Sequence, residues 1–172
     1  ISGVSGLDAT IPYTVSGTAT GSGTDHDLAD GFLTIPAGSP SGAFDFTLAD
    51  DALHELDETI IVSITTASLV NASAGATTSH TLTITDDDAA PAATFDASAS
   101  TAGESAGIVT IGVTLGAVSE LAATIPFTVS GTATGAGTDH DLVDGSLTIA
   151  VGSTTATVTL TLSDDALDEL DE

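Results

Sequence analysis

Apolar residues alternate with Thr and Ser over much of the chain. Thr124-Ile125-Pro126-Phe127-Thr128-Val129, Ser146-Leu147-Thr148-Ile149, Ala156-Thr157-Val158-Thr159-Leu160-Thr161-Leu162 and Thr81-Leu82-Thr83-Ile84-Thr85 each follow a period of two and are rich in β-branched side chains. That pattern predicts strands, because successive side chains of an extended chain point to opposite faces. The stretches between them are short and rich in Gly, Ser or Asp, as turns require. No segment carries a helical apolar stripe. Several short strands within about 110 residues predict an all-β protein made of antiparallel two-sheet sandwiches of immunoglobulin-like type.

The pattern repeats. Ile11-Pro12-Tyr13-Thr14-Val15-Ser16-Gly17-Thr18-Ala19-Thr20-Gly21 returns as Ile125-Pro126-Phe127-Thr128-Val129-Ser130-Gly131-Thr132-Ala133-Thr134-Gly135, an offset of 114, and the 58 overlapping positions hold 38 identities. A fixed period of this size means tandem modules. The junction is Asp86-Asp87-Asp88-Ala89-Ala90-Pro91, so one repeat is expected over 1–91 and the second over 92–172. Each sandwich is incomplete in this chain: the first has no counterpart of residues 92 to 114, and the second stops where residues 59 to 91 would follow. The missing strands are expected from a longer array or from neighbouring chains.

Composition narrows the function. The 172 residues include 25 Asp plus Glu, no Lys, no Arg and 4 His, for a formal charge of −25. A nucleic-acid binder needs cations to displace counterions from phosphates, so no nucleic acid is expected as a partner. Anionic membranes repel such a chain, and no apolar run is long enough to span one, so no membrane insertion is expected. With no Cys there is neither a disulfide framework nor a thiolate site. The start, Ile1-Ser2-Gly3-Val4, has no signal-peptide features and reads as an interior piece of something longer.

The acids gather in turn segments, at Asp25 and Asp27, at Asp50 to Glu58, and at Asp86 to Asp88. Alternate turns of a sandwich fall at the same pole, so three acidic loops are expected to converge. Crowded carboxylates repel, and no Lys or Arg is present to offset this. Protonation, dispersal into solvent and a bound cation are the remedies left. Ca²⁺ suits flexible loops that offer six to eight oxygens.

The residues themselves resemble the Calx-beta domain family. Gly17-Thr18-Ala19 leads to Gly23-Thr24-Asp25-His26, Asp50-Asp51 runs to Glu58, Asp86-Asp87-Asp88 closes the first module, and Glu104 sits early in the second. The resemblance implies Ca²⁺ ligation in the first module by Asp25, Asp50, Asp51, the carbonyl of Leu53, Glu55, Glu58, Asp86, Asp87 and Asp88. In the second module it implies Glu104, Asp139, Asp164, Asp165, Leu167, Glu169 and Glu172. The first set has no partner for Glu104 and the second has no terminal Asp triplet. His26 and His140 stand where the family usually has Tyr, a change in packing or hydrogen bonding.

No enzymatic activity is expected. Gly21-Ser22-Gly23-Thr24-Asp25-His26 starts like a dinucleotide fingerprint but lacks the third Gly and the helix that must follow. His54-Glu55-Leu56-Asp57-Glu58 is not a zinc-protease motif, and no Gly-x-Ser-x-Gly elbow is present. The expected function is therefore a calcium-binding structural repeat of a long secreted or cell-surface protein, adhesin-like or fibre-forming, in which Ca²⁺ stiffens the joints between repeats. Its partners are calcium ions and neighbouring repeats or chains. The alternatives are a calcium-sensing regulatory module of a transporter or receptor, and a strand-exchanging filament subunit.

Overall fold

The structure, a computed structural model, describes residues 1–165. It divides into two compact units, one of Ile1–Ala52 with Leu56–Asp86, the other of Leu53–Glu55 with the chain from Asp87 onward.

Unit 1 is a four-stranded antiparallel sheet of β1 (Ala9–Gly17), β2 (Gly31–Ile35), β3 (Glu58–Ile64) and β4 (Ser79–Ile84), in the order β2-β1-β3-β4. The nine residues of β1 serve two partners in turn. Its first half pairs with β2, from Ala9↔Ile35 to Tyr13↔Gly31, and its second half with β3, from Tyr13↔Ile64 to Gly17↔Ile60. Ile60, Ile35, Ala9 and Leu28 are buried here. Tyr13 stacks on Phe44, with ring centroids 4.7 Å apart.

Unit 2 holds a three-stranded sheet, β5 (Ala93–Phe95), β6 (Ile108–Leu115) and β9 (Thr155–Thr161), in the order β5-β6-β9. A two-stranded sheet joins β7 (Ala123–Phe127) to β8 (Gly145–Ile149). All pairings are antiparallel. Alternation along β6 turns Val113 and Leu115 inward, where they meet buried Ile149 of β8 and half-buried Ala123, Ile125, Leu147 and Ala156. The core thus lies between two sheets, as in a sandwich, and is built without aromatic rings. Within the same unit, buried Ser119 donates its Oγ–H to the His54 carbonyl at 2.9 Å and accepts from the Leu121 amide at 3.0 Å.

One sequence takes two conformations. Residues 125–131 repeat 11–17 except for Phe127 in place of Tyr13, yet β1 runs to Gly17 while β7 stops at Phe127. The difference is the neighbour: the second half of β1 is held by β3, and the chain contains no second copy of Thr59 to Ile64. The same logic governs residues 41–47. They are the counterparts of β9 but form no strand, because β9 is held by β6 and no first copy of β6 is present. The sequence patterns predicted for β4, β7, β8 and β9 appear as strands within one to two residues at each end.

Candidate metal centre

The Gly17-Thr18-Ala19 motif sets the first acidic loop against the second. Gly17 has φ 136° and lies so near Thr59 that a Cβ there would fall 2.0 Å from the Thr59 carbonyl oxygen, which only glycine tolerates. The next two amides, of Thr18 and Ala19, both donate to that carbonyl, at 3.0 and 3.1 Å, and the Thr59 amide donates to Thr18 Oγ1 at 2.8 Å. This clamp fixes the chain leading to Asp25 beside Glu58.

A tight turn then presents Asp25. Gly23 takes a left-handed φ of 87°, and its amide donates to the His26 carbonyl at 2.8 Å. The Asp25 amide donates to the Thr20 carbonyl at 3.0 Å, and Asp25 Oδ2 accepts from the Thr20 amide in return. His26 is buried, its backbone pairs with Leu48 in an isolated antiparallel bridge, and its Nδ1 makes no hydrogen bond. The Ala49 amide donates to the Asp25 carbonyl at 2.9 Å, which brings the start of the Asp50 to Glu58 loop back past the same turn.

The carboxylates of Asp25 and Glu58 meet in this place, and Glu55, three residues before Glu58 in the chain, joins them. Each offers an oxygen, and these oxygens lie within 4.8 Å of one another, all three side chains being half-buried. Two ligands of a Ca²⁺ ion at about 2.3–2.6 Å are never more than roughly 5 Å apart, so this spacing fits one ion. At that separation each pair of charges repels by about 1–3 kcal/mol, between bulk-water and protein-surface dielectric. A divalent cation is the counter-charge that all-oxygen donors of this kind accept best.

The other expected ligands fall in several places. Among the described residues, Asp50, Asp51, Asp86, Asp87 and Asp88 are not part of so compact a group. Asp50, Asp51 and Asp87 are exposed, and Leu53, Asp86 and Asp88 are half-buried. The Asp86 amide donates to Asp57 Oδ1 at 3.1 Å, which fastens the terminal acid triplet to the Asp50 to Glu58 loop. Asp57 was not among the expected site residues, and its recurrence as Asp171 was the signal for it.

Unit 2 repeats the turn. Gly137 has φ 86°, the Asp139 amide donates to the Thr134 carbonyl at 2.9 Å, and Asp139 Oδ2 accepts from the Thr134 amide. A single 3₁₀ turn, Glu104–Ala106, ends at Gly107, whose carbonyl accepts from the Leu162 amide at 2.7 Å. That bond brings Glu104 to the end of β9. Glu104, Asp139, His140, Asp164 and Asp165 accordingly line one open cavity of about 580 Å³. Leu167, Glu169 and Glu172 lie outside the described residues.

Two further Asp pairs are structural. Asp27 Oδ1 accepts from the Thr47 amide and Asp141 Oδ1 from the Thr161 amide, both at 2.7 Å. The Thr161 amide, and then its hydroxyl, hold the Asp141 carboxyl below the usual carboxylate range. Asp30 accepts from the Val15 amide at 2.7 Å and Asp144 from the Val129 amide at 2.8 Å. All four recur at the repeat offset, and they tie loops to neighbouring strand segments.

Antiparallel sheets with acidic loops set between their strands define an all-β module. A model of the Calx-beta domain matches the chain twice, over residues 8–88 and 86–172, and the chain belongs to the Calx-beta domain family. No curated protein matches it. The solved structures to which it is similar include two of CBD12. The crystal structure of CBD12 from CALX1.2 matches with 23% identity and a TM-score of 0.44, covering 96% of this chain and 66% of that one. The crystal structure of the calcium binding domain CBD12 of CALX1.1 matches with 24% identity and a TM-score of 0.45, covering 95% of this chain and 66% of that one. The chain thus spans just under two thirds of the length of each. Among the described residues no helix is long and apolar enough to cross a membrane.

Proposed function

We propose that this chain is a calcium-binding module, with Asp25, Glu55 and Glu58 forming the inner ligands of one site and Glu104, Asp139, Asp164 and Asp165 contributing to a second. The observation that carries the reading is the meeting of three half-buried carboxylates within 4.8 Å in a chain without a single Lys or Arg. Asp50, Asp51, the Leu53 carbonyl and Asp86 to Asp88 complete the first shell as the loops close on the ion, and Leu167, Glu169 and Glu172 belong to the second site. The repeats are taken as 1–91 and 92–172.

The setting we favour is the regulatory one, a calcium-responsive module of a larger protein, in which the crowded carboxylates of Asp25, Glu55 and Glu58 gain their counter-charge when calcium rises. In this setting calcium changes the order of the acidic loops, and the change is passed to whatever the module controls. The second reading, an adhesin-like or fibre-forming repeat outside the cell with Ca²⁺ stiffening the joints, draws on the 38 identities between tandem copies. Calorimetric titration of calcium into the full chain separates them. Submicromolar sites belong to a sensor, and sites filled only near millimolar calcium belong to an extracellular array. Absence of any saturable heat would end both.

A further inference from the structure

Ser119 lies between β6 and β7 and is 3% exposed; with His26 it makes up the buried polar side chains among the described residues. Burying a hydroxyl is costly unless its hydrogen bonds are made. Here they are. Its Oγ accepts from the Leu121 amide at 3.0 Å and donates to the His54 carbonyl at 2.9 Å. The Glu120 amide adds a second donor to the same carbonyl, at 3.1 Å. His54 and Ser119 also form an isolated parallel bridge.

The repeat separates the two halves of this arrangement. Ser5 is the counterpart of Ser119 at the offset of 114 and closes the same turn. Its Oγ accepts from the Leu7 amide at 3.0 Å, and its carbonyl accepts from the Gly38 amide at 2.8 Å, as that of Ser119 does from the Gly152 amide at 3.0 Å. The turn therefore forms from local sequence, and the hold on the His54 carbonyl is an addition to it. That hold falls one residue before Glu55, whose carboxylate oxygen lies within 4.8 Å of those of Asp25 and Glu58. From Asp50 to Asp57, His54 is the only residue whose backbone joins a β-bridge or strand. Like charges carried on so irregular a stretch drift apart unless its backbone is fixed. Fixing it before the ion arrives lowers the ordering cost of binding.

We propose that Ser119 is a positioning residue of the calcium site: its hydroxyl, with the Glu120 amide, holds the His54 carbonyl and thereby keeps the Glu55 carboxylate beside those of Asp25 and Glu58. The role rests on the calcium reading above. Ser119 itself is no ligand, since its hydroxyl is already committed to one donor and one acceptor.

Calcium titration of the full chain, followed by the amide signals of residues 54–58 for the first site and of Asp139 for the second, tests this. Ser119→Ala is expected to weaken the first site by about threefold to tenfold and to leave the Asp139 curve unchanged. Ser119→Thr, which keeps the hydroxyl, should recover the parent affinity to within about twofold. Ser5→Ala removes the same turn acceptor without touching His54, so it should leave the first site as it is. In the unsubstituted chain, coupling is reciprocal: calcium should slow exchange of the Glu120 amide by about threefold or more and leave the Leu7 amide unaffected. The proposal is overturned if Ser119→Ala binds as the parent does, if Ser5→Ala weakens the first site equally, if a folded Ser119→Thr chain binds as weakly as Ser119→Ala, or if exchange of the Glu120 amide ignores calcium. A parent chain without calcium-dependent signals at residues 54–58 overturns the calcium reading itself, whereas a responsive parent with an equally responsive Ser119→Ala chain overturns the positioning role alone.

Discussion

Replacing Asp25 by Asn separates the two roles that the crowded carboxylates play. Asn keeps an oxygen for the Thr20 amide, so the turn that Asp25 closes survives in outline. It removes one of three negative charges whose oxygens lie within 4.8 Å. Without metal, two repulsions of about 1–3 kcal/mol each are relieved, and half-exposure places the true value at the low end. Against this stands the weaker hydrogen bond of a neutral acceptor, about 1 kcal/mol. The net expectation in chelator is a gain of about 1 kcal/mol, or a midpoint rise of about 4–8 °C for a unit of this size. In calcium the sign reverses, because one ligand charge is gone: affinity falls by at least about tenfold, which removes roughly 1.4 kcal/mol of ligand stabilisation. Thermal unfolding of the parent and Asp25→Asn chains, in chelator and across a calcium series, reads both signs. A variant destabilised equally in both conditions would refute the reasoning, for Asp25 would then serve the turn alone.

The remaining expectations concern how neighbours determine local structure. Gly17→Ala places a methyl 2.0 Å from the Thr59 carbonyl at a left-handed φ, and urea unfolding should show a loss of about 2 kcal/mol or more. Gly131→Ala, at the same repeat position but with nothing within 4 Å, should stay within about 0.5 kcal/mol of the parent. Asp141 titrates below the usual carboxylate range because of the Thr161 amide and hydroxyl. Its stabilisation is therefore complete above its unfolded value, near about 3.9, and is lost as the pH falls through the lower folded value. Asp141→Asn should flatten that part of the acid unfolding curve, and an unchanged acid limb would contradict the assignment. If calcium stiffens the joints of an array, small-angle scattering should show a narrower spread of chain dimensions in calcium than in chelator; equal spreads would count against the array reading.

The repeat, the all-β class and the strands of Thr alternating with apolar residues were legible in the sequence because each depends on local period alone. Thr155–Thr161 and Gly145–Ile149 are strands where the alternation places them. Local period does not reveal where a strand stops. Thr128-Val129-Ser130 and Thr14-Val15-Ser16 are identical, but only the second lies against β3. The site shows the same division. The charge pattern and the family resemblance pointed to Asp25, Glu55 and Glu58 together with many other acids, and only the fold distinguishes those three as a compact group. Asp27, Asp141, Asp30 and Asp144 are chemically indistinguishable from ligands in sequence. The amides of Thr47, Thr161, Val15 and Val129 that occupy them come from 15 or 20 residues away.

Anomalous diffraction from crystals of the full chain grown in millimolar calcium addresses the metal centre itself. A peak is expected between the Asp25, Glu55 and Glu58 side chains, at about 2.3–2.6 Å from an oxygen of each. Flat density there, with the three carboxylates turned away from one another into solvent, would contradict the claim that a divalent ion draws these loops together.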